Sequence, residues 1–460
     1  MKKSIFTLTL ALLLGAAPAA LAEKQAPPPA ATPKPFTVPA TKDFTLSNGL
    51  AVTLVPFGAI PKVSIELSVR AGNVDEAENE QAIADLLGEL LLEGTTTKTA
   101  EEIARGAAQM GGSVSASVGL NYTSIRGEAL SDFAPDIVRL LADVALNPKL
   151  PASEVPRLTA DLVRGVAQRK ADPSDIADVK LYELLYAGHP YGRPLPTEAT
   201  LKSHTAEKAR AFYERLFGAK RAHLYVAGLF DLPRTEAAIR EAFAGMRPLE
   251  TRAEATPKAK TARAITLIDR PGAVQSVVAI ATPAIDPAHP DALALEVANT
   301  LLGGYFGSRI TANIREQKGY TYSPRSSITD LLKTSFWEQY AEITTNVTGP
   351  AIKEVFAEID RMQAEPPAKA ELAGVKSYMI GTFTLKLSSR FGIIGQLRRV
   401  DQHGLPREYL STYVDRVLAL KPEDVQRVTK QYIEDDKATI VIVGDRKQIE
   451  KQIAPFGKIQ

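Results

Sequence analysis

The chain has 460 residues, 45% apolar and 23% charged, which allows roughly two to four domains of about 150 residues each and excludes a disordered, fibrous or multi-span membrane protein. Lys and Arg number 55 against 53 Asp and Glu, a net charge of +2, and without a basic excess nucleic acid is not an expected partner. Cysteine is absent, so disulfides, thiolate metal sites and cysteine catalysis are excluded, and any metal would need His or carboxylate ligands.

Met1-Lys2-Lys3, the apolar run Ile5 to Leu14 and the small residues ending Ala20-Leu21-Ala22 follow the charged, apolar and cleavage-site order of a secretory signal. Residues 1–22 are therefore expected to be removed after Ala22, with export, to a periplasm, and no permanent membrane anchor. Residues 23–43 carry Pro27, Pro28, Pro29, Pro33, Pro35 and Pro39 among Ala and Thr, the composition of an extended tether. Folding is expected to begin near Phe44.

Asn48-Gly49 between two β-type runs signals a hairpin. Val63, Ile65, Leu67 and Val69 alternate with polar residues and predict a third strand. Ile83, Leu86, Leu87, Leu90 and Leu91 share one helix face, ending at Gly94, and Thr99-x-x-Glu102 is a capping box that opens the next helix. Gly112 to Glu128 predicts a second hairpin. Helices are expected over 132–146, 152–170 and 174–186, and a strand over 223–228.

Between Pro248 and Arg263 the composition turns to Pro, Ala, Lys, Glu and Thr without periodicity, a linker. The half of the chain after this linker repeats the half before it. Ser276 in a strand-like run lies 213 positions after Val63 in another, and Gly444 lies 216 positions after Gly228. The shared offset predicts an α+β fold of two homologous domains, 44–246 and 264–460, each a mainly antiparallel sheet packed with helices. The intervening linker, 247–263, is the expected hinge for any opening of the two.

The helix Ala82-Ile83-Ala84-Asp85-Leu86-Leu87-Gly88-Glu89-Leu90-Leu91-Leu92-Glu93-Gly94-Thr95 resembles the zinc helix of the pitrilysin and insulinase metallopeptidases, the inverzincins, where two histidines flank a glutamate. In that family the histidines hold zinc and the glutamate is the base. Here Asp85 and Glu89 stand in place of the histidines and Gly88 in place of the base. The stretch equivalent to the family's third ligand, Val163-Arg164-Gly165-Val166, offers no carboxylate. No metal is therefore expected in this chain, although Asp85 and Glu89 leave open a hard cation such as calcium. The five histidines, His189, His204, His223, His289 and His403, show no i, i+4 pair and are expected at surfaces or turns.

The second half keeps more of the resemblance. A helix over 292–302, the glycine-rich break Gly303-Gly304-Tyr305-Phe306-Gly307-Ser308 and a helix over 309–318 capped by Ser308 lead to Arg315-Glu316-Gln317-Lys318-Gly319-Tyr320-Thr321-Tyr322. This string resembles the family's substrate-binding motif, an arginine followed seven positions later by a tyrosine, matched by Arg315 and Tyr322. A guanidinium can donate several hydrogen bonds to peptide carbonyls, and a phenol can donate to developing negative charge. Tyr320 either lines the same surface or packs in the hairpin. Gly111 to Val118, including Ser115 and Ala116, matches the edge strand that the family offers to an extended peptide, with Ser115 in place of the usual asparagine.

In some bacterial members of this family one chain carries the zinc motif and another the arginine and tyrosine, and this chain resembles the second kind. The resemblance implies half of a clam-shaped peptidase chamber: a non-catalytic subunit whose zinc-bearing homologous partner supplies metal, water and base for the degradation of peptides. Two alternatives stand beside it. One is a pseudopeptidase scaffold like the family-related core subunits of respiratory complexes, and the other a peptidase acting alone through a different metal arrangement. A homodimer remains possible on sequence alone.

Overall fold

The computed structural model describes residues 37–251 and 256–460; the expected signal peptide, most of the tether and part of the linker lie outside the described residues. The first half contains strands β1 Lys42–Thr45, β2 Ala51–Pro56 and β3 Lys62–Val69, helices α1 Ile83–Leu90 and α2 Ala100–Gln109, and the hairpin β4 Ser113–Val118 and β5 Thr123–Leu130. Helices α3 Ala134–Leu146, α4 Val155–Ala171, α5 Pro173–Leu185, α6 Glu198–Lys202 and α7 Ala206–Leu216 come next, then β6 Ala222–Gly228 and α8 Leu232–Ala242. Local chemistry sets several boundaries. Gly49 takes φ +93° in the turn before β2, Thr99 and Glu102 close the capping box of α2, and the Asp172 carboxylate caps α5.

The second half runs β7 Ala264–Asp269, β8 Gln275–Ala284, α9 Ala292–Asn299, β9 Arg325–Leu331 and β10 Thr334–Thr344. It continues through α10 Thr348–Ala364, α11 Lys369–Leu387, α12 Arg390–His403, α13 Tyr413–Ala419 and α14 Pro422–Tyr432 to β11 Thr439–Gly444, α15 Arg446–Ile453 and β12 Lys458–Ile459. Each half builds one six-stranded sheet, in the orders β1-β2-β6-β3-β5-β4 and β12-β7-β11-β8-β10-β9. The last five positions in these orders correspond strand for strand, so the repeat in the sequence is a repeat in topology. Both sheets are mixed: β2 with β6, and β7 with β11, run parallel, and the other central pairs run antiparallel. The outer strand beside each parallel pair differs, β1 being antiparallel and β12 parallel to its neighbour.

Each sheet has one face on the helices of its own half. Val63, Ile65, Leu67 and Val69 of β3 enter the first core, and Val278 and Ile280 of β8 enter the second. The opposite faces are covered by exchange. Helix α5 of the first half lies on β8 and β11 of the second, and α12 of the second lies on β3 and β6 of the first. These helices begin 217 positions apart and are partners in the repeat. Among the described residues no helix is long and apolar enough to cross a membrane.

The two exchanged contacts differ in chemistry. Under α5, Ala177, Leu181, Leu185 and Tyr186 meet Val277, Ala279, Phe336, Tyr340, Val441 and Val443, all buried, and each large apolar side chain so buried contributes about 1.5–3 kcal/mol. Under α12 the covered face of β3 is Ser64, Glu66 and Ser68. Glu66, 1% exposed, accepts from Arg126 Nε at 2.8 Å, from Ser124 at 3.0 Å and from Arg398 of α12. Arg390 donates to Ser64 at 3.0 Å, and Asp401 accepts from the Tyr225 hydroxyl at 2.8 Å. A buried carboxylate is tolerated only when paired in this way.

These contacts correct the expected hinge. Val38–Gln460 is one compact unit, and opening about the linker would strip α5 and α12 from the sheets they cover. A chain cut by an inserted protease site between Glu250 and Pro257 should therefore still elute from gel filtration as one particle of the intact size. Separation of the two fragments without denaturant would show that the linker, and not the exchanged helices, joins the halves.

One charge in the apolar contact is not neutralised. Glu338 on β10 shares the face of Phe336 and Tyr340, and its carboxyl is pushed up to about 7 by burial, with the negative charge of Asp178 on α5 adding and Arg325 opposing. The folded state thus holds this proton more tightly than the unfolded chain. The stability it contributes is complete below the ordinary glutamate range and is lost as pH rises through 7, by at most about 3 kcal/mol. Urea midpoints compared at about pH 5 and pH 8 should fall at the higher pH in the wild type and fall distinctly less in Glu338→Gln.

Candidate functional site

Helix α1 begins after Ala82, which takes φ +67°, and is capped by a residue well upstream in sequence: Glu76 accepts the backbone N–H groups of Ala82 and Ala84, both at 3.0 Å. Burial, with the charge of Asp85 adding, pushes the Glu76 carboxyl up to about 7. Asn73 ties the pair together, donating to Glu76 at 3.2 Å and to Asp85 at 2.7 Å, and burial raises the Asp85 carboxyl as well. Glu89, one turn on, is exposed, and no hydrogen bond or ion pair joins it to Asp85.

Asp85 faces a cavity of about 520 Å³ between α1, α4 and the 190–196 loop. The α4 residues on its wall include Gly165 and Val166, from the stretch expected to replace the third ligand, and Asp161 one turn earlier. Asp161 is paired with Arg164, and among the described residues no three His, Cys, Asp or Glu side chains converge on a point where a metal could sit. Gly88 explains part of this. A Cβ at that position would lie 2.7 Å from Cγ2 of Val118 on β4, so the Val118 side chain occupies the space that a larger residue at 88 would enter. The residues present do not fit a catalytic zinc, which needs three protein ligands and an open position.

Strand β4 is an edge: β5 pairs with it on one side and no strand lies on the other among the described residues. Ser115 is exposed and Ala116 half-buried, paired in register with Arg126 and Ile125. The histidines depart from the surface expectation in two cases. His204 is buried with Nε2 2.8 Å from the Gln81 carbonyl oxygen, and His223 stacks on Tyr225 at 4.1 Å under α12.

In the second half, α9 runs into a π-helical turn over Thr300–Gly304, and a second π segment, Thr311–Gln317, replaces the regular helix expected over 309–318. Gly303 permits the first, because a Cβ there would lie 2.5 Å from Ser326 Oγ. The second is held by Asn313, whose amide donates to Glu358 at 2.7 Å and Glu354 at 3.1 Å while its carbonyl accepts from Lys318 N, five residues on, at 3.2 Å. Such wide turns are rare and are frequent at functional sites. Ser308 makes no capping bond to the backbone; its hydroxyl donates to Thr311 Oγ1 at 3.0 Å.

The π segment delivers Arg315 between two exposed rings. Its guanidinium carbon lies 4.4 Å from the centroid of Phe306, 64% exposed, and 4.9 Å from that of Tyr322, 77% exposed, with Nε 3.3 Å from Glu316. Two rings over a guanidinium fix its plane and leave the N–H edge open for a carbonyl or carboxylate. Tyr320 instead packs against the core of its own half. No hydrogen bond, ion pair or ring contact among the described residues joins Arg315 or Tyr322 to α1 or β4.

A model of the insulinase family, peptidase family M16, matches residues 59–198, and one of the peptidase M16 inactive domain matches 203–379. The chain belongs to the insulinase family. An uncharacterized zinc protease of Mycobacterium leprae is 28% identical over 78% of this chain and 85% of its own length, and one of Bacillus subtilis is 23% identical over 87% and 98%. Solved structures share the fold. A peptidase M16 inactive domain from Pseudomonas fluorescens superposes with a TM-score of 0.81 at 23% identity, covering 88% of this chain and 98% of its own. A protease from Helicobacter pylori gives 0.82 at 21%, covering 89% and 100%, and a chain of Complex III2 from Candida albicans gives 0.75 at 18%, covering 91% and 100%. The two mixed sheets with their helices are the insulinase fold, as the α+β reading with its internal repeat required.

Sequence reasoning located Asp85, Gly88, Glu89, Arg315 and Tyr322 but missed Glu76 and Phe306. Glu76 precedes the helix it caps by more than the capping-box spacing, and nothing in the string marks it. Phe306 carried a visible sign, an aromatic residue inside a glycine-rich break. Rewriting α1 as Asp85→His, Gly88→Glu, Glu89→His should leave the protein without stoichiometric zinc by atomic absorption. Displacing Val118 should also cost about 1–3 kcal/mol of stability in urea unfolding. One tightly held zinc per chain would overturn this account of α1.

Proposed function

We propose that this chain is an exported, non-catalytic subunit of a heterodimeric zinc metallopeptidase that degrades peptides, with Arg315 and Tyr322 reaching into the active site of a zinc-bearing homologous partner. The observation that carries this reading is the contrast between the two halves. The first lacks the ligands and the base, and the Val118 side chain lies against Gly88. The second presents a guanidinium held between two exposed rings, an arrangement its own fold does not use. The partner would hold the metal. Arg315 would donate to a peptide carbonyl, Tyr322 would donate to the oxygen on which negative charge develops, and the free edge of β4 near Ser115 and Ala116 could pair with the peptide backbone.

The expected export rests on the amino-terminal segment alone, and fractionation of cells producing the full chain, with sequencing of the mature amino terminus, checks it. The pairing is tested by peptide hydrolysis with this protein, a zinc-motif homologue from the same organism, and their equimolar mixture. Activity should appear in the mixture and not with this chain alone. Arg315→Ala should lower kcat/KM of the mixture about 10²–10³-fold, and Tyr322→Phe by a smaller factor, with the complex still formed on gel filtration. Full activity of the homologue alone, unaffected by this chain or its variants, would reject the proposal and favour a pseudopeptidase scaffold.

A further inference from the structure

Two adjoining cavities in the second half share a wall made by Glu296, Thr300, Gly304 and Arg399. One, of about 310 Å³, runs along β9; the other, of about 220 Å³, lies between α9, α11, α12 and α13. Neither belongs to the degenerate zinc site or to the Arg315 cluster. Glu296, on α9, carries a carboxylate that makes no hydrogen bond and no ion pair among the described residues. Burial holds its carboxyl above the ordinary glutamate range, opposed by the charge of Arg399.

Arg399 makes no ion pair with it, and three of the five guanidinium donors are engaged elsewhere. Nε and Nη2 donate to Asp330 at 3.2 and 2.8 Å, and Nη1 donates to the Tyr409 hydroxyl at 3.1 Å. The smaller cavity has a second charge without a partner. Lys386, on α11, lines it from an exposed position, and its ammonium likewise has no hydrogen bond or ion pair among the described residues. Its charge acts on Glu296, yet no ion pair joins them.

An unmet carboxylate within a cavity and an unmet ammonium on the same wall, held apart, are the complement of a molecule with an ammonium at one end and a carboxylate at the other. With Arg399 paired to Asp330, the lining keeps one charge of each sign without an ion-pair partner, and a lone cation or a lone anion would meet only one of them. The Thr382 hydroxyl and the Gln396 amide offer further hydrogen bonds, and Met379 gives an apolar wall. The volume lies below the range of about 300–1,000 Å³ of drug-sized sites, which limits the occupant to a small molecule. We propose that this cleft binds a small zwitterion, a free amino acid or a dipeptide with unblocked ends, its ammonium on Glu296 and its carboxylate on Lys386.

Calorimetric titration of the purified protein with glycine, leucine, phenylalanine, glycylleucine and leucylleucine tests this, with leucinamide and N-acetylleucine as the blocked counterparts. At least one unblocked probe should bind saturably, and blocking either end should weaken binding about tenfold or more, as expected when a charge-assisted hydrogen bond is lost. Glu296→Gln should weaken leucine and leucinamide but leave N-acetylleucine unchanged, and Lys386→Met should weaken leucine and N-acetylleucine but leave leucinamide unchanged. Lys386 is exposed, so its variant keeps the proposal testable if the buried substitution disturbs folding. Absence of saturable binding by every unblocked probe, or binding indifferent to blocking and to Lys386→Met, would overturn it.

Discussion

The exchange of α5 and α12 between the halves is the constraint on which the molecule depends. A six-stranded sheet with helices on one face only would leave its other face to water, and here each half supplies the missing cover for the other. That cover fixes everything attached to the sheets. Strand β4 and α1 stay at one end of the first sheet, and the π segment bearing Arg315 stays at the corresponding part of the second. The polar contact is the more demanding of the two, because Glu66 is almost inaccessible and must be met by Arg126 and Arg398 together. An apolar contact tolerates small shifts; a buried carboxylate between two guanidiniums specifies one docking.

On this frame the two halves have diverged in opposite directions. Around α1 the polar groups are turned inward upon each other: Asn73 joins Glu76 to Asp85, Glu76 is committed to the helix amino terminus, and Asp161 is committed to Arg164. Each carboxylate there has a structural task or an internal partner, except Glu89, which simply meets water. Around the π segment the polar and aromatic groups are turned outward. Phe306 and Tyr322 stand exposed on either side of the Arg315 guanidinium.

Much of the frame was legible in the sequence because it depends on short-range rules. The Asn48-Gly49 turn, the Thr99-Glu102 box, the alternation of β3 and the repeated offset all describe interactions within a few residues or between copies of one unit. What escaped was long-range. The string Ser64, Glu66, Ser68 reads as a solvated strand face, and only the arrival of α12 some 330 residues later in the chain makes it interior. The second π turn escaped because Asn313, which holds it, is itself held by two glutamates on α10 some forty residues later in the chain. Glu76 and Glu296 look like ordinary surface acids in a string of letters, and their burial is a property of the assembled fold.

The contact between Gly88 and Val118 also bears on the history of the chain. Were the ligands and base the only changes, a hydrolase could be recovered by reversing them one at a time. With the Val118 side chain packed against Gly88, a longer side chain there must first displace that methyl group, so restoring the base and repacking Val118 are coupled changes.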